Sequence, residues 1–129
     1  SSPLLRCALL ADAVFSGVSA VAMVLDTSTL ASLLGLPDAL LRETGLFLIA
    51  YTALVGWLGA RTSLPKGPVI LVVAGNAAWT LASIALLLSG AVSPNLLGTI
   101  VILAQAIATG VFAELQYVGL RRSEGAVTA

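Results

Sequence analysis

Four apolar runs dominate the chain, over about residues 8–25, 37–60, 69–88 and 96–120. A helix needs about 20 residues to cross roughly 30 Å of hydrocarbon, and each run meets or approaches that length. Lipid offers no partners for backbone N–H and C=O groups, so a spanning segment must satisfy them within itself, as a helix does. The fold class that follows is all-α: a transmembrane bundle of four helices, up-down-up-down, in a single transmembrane domain over residues 1–129. Composition points the same way. The chain is 59% hydrophobic and 9% charged, whereas an ordinary soluble domain is about a quarter charged. Too few polar groups exist to cover a water-soluble globule.

The breaks between runs carry their own signals. Asp26-Thr27-Ser28-Thr29 offers helix-capping chemistry. The apolar stretch over about 28–36 is too short to span and is expected to lie at the membrane surface. Pro37 is expected as the first residue of the second helix, where its missing N–H costs nothing, with Asp38 and Arg42 as an i, i+4 ion pair. Residues 61–68, with two prolines, a glycine and two cations, read as a loop, and Ser89–Asn95 as a tight turn. The polar tail, 121–129, is expected to be mobile. Ser19-Ala20-Val21-Ala22 resembles a signal-peptidase site, but Asp12 interrupts the apolar run before it, so the segment is expected to remain a span.

Charge placement predicts sidedness. With an even number of spans, both termini and the central loop share one side, which holds Arg6, Arg61, Lys66, Arg121 and Arg122. The other side holds Arg42 beside Asp26, Asp38 and Glu43. Basic loops stay in the cytoplasm, so the chain is expected in the inner membrane of the cell with both termini cytoplasmic. Trp57 and Tyr117 fall where the cytoplasmic aromatic belt would be.

Residue inventory removes several chemistries. There is no histidine and one cysteine, Cys7, so neither an internal disulfide nor a Ser-His or Cys-His nucleophile can be built. No metal site and no cofactor are expected. Six basic and six acidic residues cancel, leaving no basic field for nucleic acid.

Polar residues inside hydrocarbon need a partner or a wet cavity, and they cluster by helical spacing. Asp12, Ser16 and Ser19 share one face of the first span, with Asp12 satisfied either by Arg6 and the loop cations or by a cavity. Asn76, Thr80 and Ser83 repeat that spacing on the third span; Asn76 lies roughly 12 Å along the axis from the loop. Trp79 is too deep for the aromatic belt, and its indole N–H should find an acceptor. On the fourth span Gln105, Thr109 and Gln116 share a face, with Glu114 on the opposite side. Asp12, Ser16, Asn76, Trp79, Thr80 and Gln105 form the candidate intramembrane polar site. Gly45, Gly56 and Gly59, with Ala106 and Gly110, mark close helix packing, within one chain or across a homo-oligomer.

A duplicated hairpin fits the same spacings. Leu36-Pro37-Asp38 before the second span parallels Ser93-Pro94-Asn95 before the fourth, and Thr52 then corresponds to Thr109. Both hairpins enter from one side, so the repeat would be parallel rather than inverted.

Three segments carry a resemblance: Leu9-Leu10-Ala11-Asp12-Ala13-Val14, Asn76-Ala77-Ala78-Trp79 and Phe112-Ala113-Glu114-Leu115-Gln116-Tyr117. With these the chain resembles small four-span bacterial integral membrane proteins of uncharacterised function, a likeness that implies layout and no activity. Small multidrug exporters are similar in size and in an early acidic residue, but their loop and third-helix patterns are absent. The asparagine and Thr-Thr-Phe-Ser patterns of fluoride channels are absent too.

The expected function is therefore that of a structural or accessory membrane protein, binding lipid or a partner without turnover and not acting as an enzyme. The competing expectation is a small-molecule transporter or channel, dimeric and proton-coupled through Asp12. Its ligand would be small and apolar or cationic.

Overall fold

The computed structural model describes residues 3–128, with side chains to 123. Five helices follow in order: α1 (Pro3–Leu25), α2 (Thr27–Leu34), α3 (Asp38–Ala60), α4 (Lys66–Ser89) and α5 (Leu96–Thr128). Among the described residues there is no strand. Four of the helices are long and apolar enough to cross a membrane, with mean hydropathies between 1.4 and 2.1.

Helix boundaries differ from the sequence expectation where proline and polar residues meet helix ends. α1 starts at Pro3 rather than near residue 8, since proline is compatible with a first turn. Pro37 is not helical; it is the extended residue that precedes α3 (φ −63°, ψ 138°). At α4 the loop is shorter than expected, because Gly67 and Pro68 are absorbed into the first turn after the extended Pro65. α5 does not stop at residue 120 but continues helically through Thr128, so the polar tail is a helix extension up to there; Ala129 lies outside the described residues. Asp38 accepts a hydrogen bond from Ser28 at 3.2 Å, and no ion pair joins it to Arg42, whose side chain is exposed.

The short stretch after α1 is helical. α2 ends in a Schellman turn: Gly35 takes a left-handed backbone (φ 70°), and the Leu36 N–H donates to Ala31 C=O at 3.0 Å. Asn95 then fastens α2 to α5. Its backbone N–H donates to Leu34 C=O at 3.1 Å, and its side-chain amide donates to Leu33 C=O at 2.7 Å. The same side chain caps α5 by accepting the Gly98 N–H at 2.8 Å. A Cβ at Gly98 would collide with the Leu34 carbonyl oxygen, so only glycine lets the two helices approach this closely.

α1 packs most extensively on α3 and also along α5, while α4 packs on α5. α3 and α4 barely touch. A duplicated hairpin would therefore be assembled asymmetrically, with one inter-hairpin seam closed and the other open. Small residues close the seams inside the chain. A Cβ at Gly45 would lie 2.8 Å from Val24, one at Gly59 2.8 Å from Leu10, and one at Gly56 3.8 Å from Ala13. Gly110 approaches Thr80 in the same way, and Ala106 is buried beside it.

Two apolar clusters hold the ends. Leu5, Leu9, Val55, Leu58, Val69 and Val72 pack where the N-terminal part of α1 meets the α3–α4 turn. Ala31, Leu34, Leu36, Leu41 and Ile102 pack at the other end. The outward faces are also apolar: Val14, Leu25, Leu81, Leu88, Leu96 and Ile107 are all exposed. Such continuous apolar exposure suits lipid rather than water.

Candidate intramembrane polar site

Asp12 is completely buried, and every one of the four long helices reaches its cluster. Its Oδ2 accepts the Tyr51 hydroxyl at 2.7 Å, the Asn76 amide at 2.9 Å and the Gln116 amide at 2.9 Å. Its Oδ1 accepts Ser16 Oγ at 3.1 Å, one helical turn along α1. Asn76 also donates to Gln116 Oε1 at 3.0 Å, closing a ring of three side chains. An ionised carboxylate is acceptor-only, and all four of its neighbours present donors to it. None of them is a cation.

Arg6 does not serve Asp12. It reaches the end of α3 instead, donating to Gly59 C=O at 3.3 Å and Thr62 C=O at 3.4 Å. These are carbonyls of a helix terminus and the turn beyond it, which lack partners within the helix.

The candidate residues divide into two groups. Asp12, Ser16 and Asn76 meet directly. Trp79 and Gln105 form a second chain, in which the indole N–H donates to Gln105 Oε1 at 2.9 Å and Gln105 Nε2 donates to Ser83 Oγ at 2.9 Å. Thr80 bridges α4 and α5: its hydroxyl lies 2.8 Å from that of Thr109 and 3.0 Å from the Ala106 carbonyl. Ser19 bonds back to Phe15 C=O and joins neither group. Glu114 is exposed while Gln105 is half-buried, as their separation of two and a half turns requires.

Two members of the Asp12 cluster lay outside the candidate set. Gln116 shared a face with Gln105 and Thr109, and its complete burial is the new fact. Tyr51 carried a subtler signal: a phenol well inside an apolar span needs somewhere to place its hydroxyl.

The open seam between α3 and α4 holds a cavity of about 400 Å³, walled by Ser16, Phe47, Leu54, Tyr51, Asn76 and Trp79 among others. Three of the four partners of the Asp12 carboxylate thus face it. A second space of about 390 Å³ lies toward α2 and includes Met23, Leu41, Ser83 and Gln105 in its wall. Ser16, Leu48, Trp79 and Thr109 line both. Phe47 spans the seam by stacking on Trp79, ring centroids 5.7 Å apart and planes 7° from parallel. It also stacks on Tyr51 at 6.3 Å.

Among the described residues, no three histidine, cysteine or acidic side chains converge as a metal would require. At the basic end, Arg61 lies over the exposed Trp57 ring (4.7 Å to its centroid) and Arg121 over Tyr117 (5.9 Å). Cys7 is exposed.

No protein-family description matches the chain, and neither does any curated protein or solved structure.

Proposed function

We propose that this chain is a multi-pass protein of the inner membrane, a four-helix bundle with both termini cytoplasmic, that binds a small amphipathic molecule without chemical turnover. The observation that carries the reading is the cavity between α3 and α4, apolar over most of its wall and polar where it meets the Asp12 cluster. Ligand sites have this character: mostly apolar lining, with a few fixed polar groups that orient the guest. A purely structural bundle gains nothing from leaving one helix seam open, because each unfilled contact forfeits packing. The seam faces sideways, so a guest dissolved in the bilayer would enter without crossing the headgroups. Sidedness follows from the basic cluster around Arg6, Arg61 and Lys66.

Heavy-atom quenching tests the binding reading. Trp79 lines the cavity and Trp57 lies outside it, so a Trp57→Phe protein has one tryptophan at the site. Saturable quenching of Trp79 by a brominated amphiphile, abolished by Gly75→Phe, is the expected result. Gly75 lines the cavity, and an added Cβ there meets nothing within 4 Å, so a ring can fill the space. Quenching that rises linearly with bulk lipid bromine and ignores Gly75→Phe would refute it.

Transport is the second reading, favoured by the two cavities that share Trp79 and Thr109 as common wall. A guest passing Trp79 would exchange one space for the other. Flux of the bound amphiphile into sealed vesicles, lost in Gly75→Phe, distinguishes transport from simple binding.

A further inference from the structure

We propose that the guest is a protonated lipophilic amine, a deduction that rests on the binding reading above. Three features of the cavity converge on a cation that carries N–H donors. The first is charge. The Asp12 carboxylate is buried among Ser16, Tyr51, Asn76 and Gln116, all of them neutral. Arg6, the nearest cation along α1, is spent on carbonyls at the end of α3. These hydrogen bonds bring no positive charge to the carboxyl, and a buried carboxylate needs a cation to offset its charge. A cationic head group in the space that Tyr51 and Asn76 line would supply it.

The second feature is an unfilled acceptor. Asn76 is 3% exposed and lines the cavity. Both of its amide donations are taken, by Asp12 and Gln116. A carboxylate neighbour forces the NH₂ group inward, so the amide assignment is set by chemistry. The Asn76 Oδ1 accepts no side-chain or backbone donor in the structure. Since Asn76 lines the cavity, this acceptor is open to a donor from a guest, and an ammonium N–H supplies one.

The third feature is the aromatic wall. Phe47 stacks on both Tyr51 and Trp79 along the cavity, so its own faces are taken, and a cation would be favoured over an anion at a face of Tyr51 or Trp79. The apolar remainder, Leu48, Leu54, Leu71 and Val72, suits a hydrocarbon body. An anionic amphiphile would bring the carboxyl a like charge instead of a counter-charge. A neutral one would forgo the charge complement.

The experiment uses one molecular shape with three head groups: 4-(4-bromophenyl)butylammonium, the corresponding butanol and the corresponding butyrate. Each is titrated into Trp57→Phe protein in zwitterionic vesicles, and Trp79 quenching is plotted against the membrane-partitioned concentration. The ammonium compound is expected to half-saturate at a concentration on the order of tenfold below the alcohol, and the butyrate not to saturate. Asp12→Asn should remove the advantage of the ammonium while the alcohol still quenches. Equal half-saturation of ammonium and alcohol in the Trp57→Phe protein with Asp12 intact would overturn the amine assignment and leave binding standing. Non-saturable quenching by all three, unchanged in Gly75→Phe, would overturn the binding reading itself. Because the head-group comparison is made on unmutated site residues, it does not depend on whether Asp12→Asn folds.

Discussion

The amide nitrogen of Asn76 lies 2.9 Å from the carboxylate of Asp12, sixty-four residues earlier in the chain. Through this contact α1 and α4 are joined although neither is the other's main packing neighbour, and Tyr51 and Gln116 bring α3 and α5 to the same oxygen. This contact and three other features of the fold each lead to a testable outcome.

Removing the acceptor should cost more than removing any one donor. Asp12→Ala leaves Tyr51, Asn76 and Gln116 facing each other without their shared partner. Interhelical hydrogen bonds in membranes contribute about 0.6 kcal/mol on average and up to about 1.7, so a loss of about 1–3 kcal/mol is expected. Tyr51→Phe should lose under about 1.7 kcal/mol. Equilibrium unfolding in mixed micelles measures both; equal losses would mean that the donors find other partners.

Glycine contacts predict opposite signs at two positions. Gly98→Ala drives a methyl against the Leu34 carbonyl oxygen and should destabilise by about 1–3 kcal/mol. Backbone cannot yield as a side chain can, so hydrogen exchange should speed up around Leu34 and Asn95. Gly75→Ala meets nothing within 4 Å and should be neutral or stabilising by about 0.5–1 kcal/mol through helix propensity. Thermal unfolding of the two variants side by side checks the contrast.

The ring of Phe47 should govern access to Trp79. Phe47→Ala removes a stacked partner worth about 0.5–1.5 kcal/mol beyond its buried area and widens the seam between α3 and α4. Quenching of Trp79 by brominated lipid should rise in this variant on a Trp57→Phe background. Unchanged quenching would mean that the seam is closed by residues other than this pair.

Cys7 reports sidedness, since it is exposed and no other thiol is present. With both termini cytoplasmic, a membrane-impermeant maleimide should leave it unmodified in intact spheroplasts and label it in inverted vesicles. Labelling of intact spheroplasts would reverse the orientation.

Much of the architecture was legible in the residues. Apolar runs marked all four long helices, and the solvent-averse outer faces are those that the composition demanded. Helical spacing also put Gln105 and Glu114 on opposite sides of α5. The differences lie at helix ends, where the sequence pattern predicts breaks at Pro68 and after Leu120 and the structure has helix. Proline within a first turn loses no hydrogen bond, and polar residues such as Arg121 and Arg122 are good helix formers.

Within the polar site, the line between legible and hidden is sharper. The sequence by itself determined that Asp12, Asn76 and Gln105 needed partners, because hydrocarbon supplies none and their burial was implied by the lengths of the runs. Only the tertiary structure decided who those partners are: Tyr51 and Gln116 for Asp12, the Trp79 indole and Ser83 for Gln105, and the Gly59 and Thr62 carbonyls for Arg6. The physical reason is that periodicity specifies the face of one helix, whereas a hydrogen bond between helices depends on their relative rotation and axial stagger. Those are set by where small residues let backbones close together, as at Gly45, Gly59 and Gly98, and by where they leave the α3–α4 seam apart.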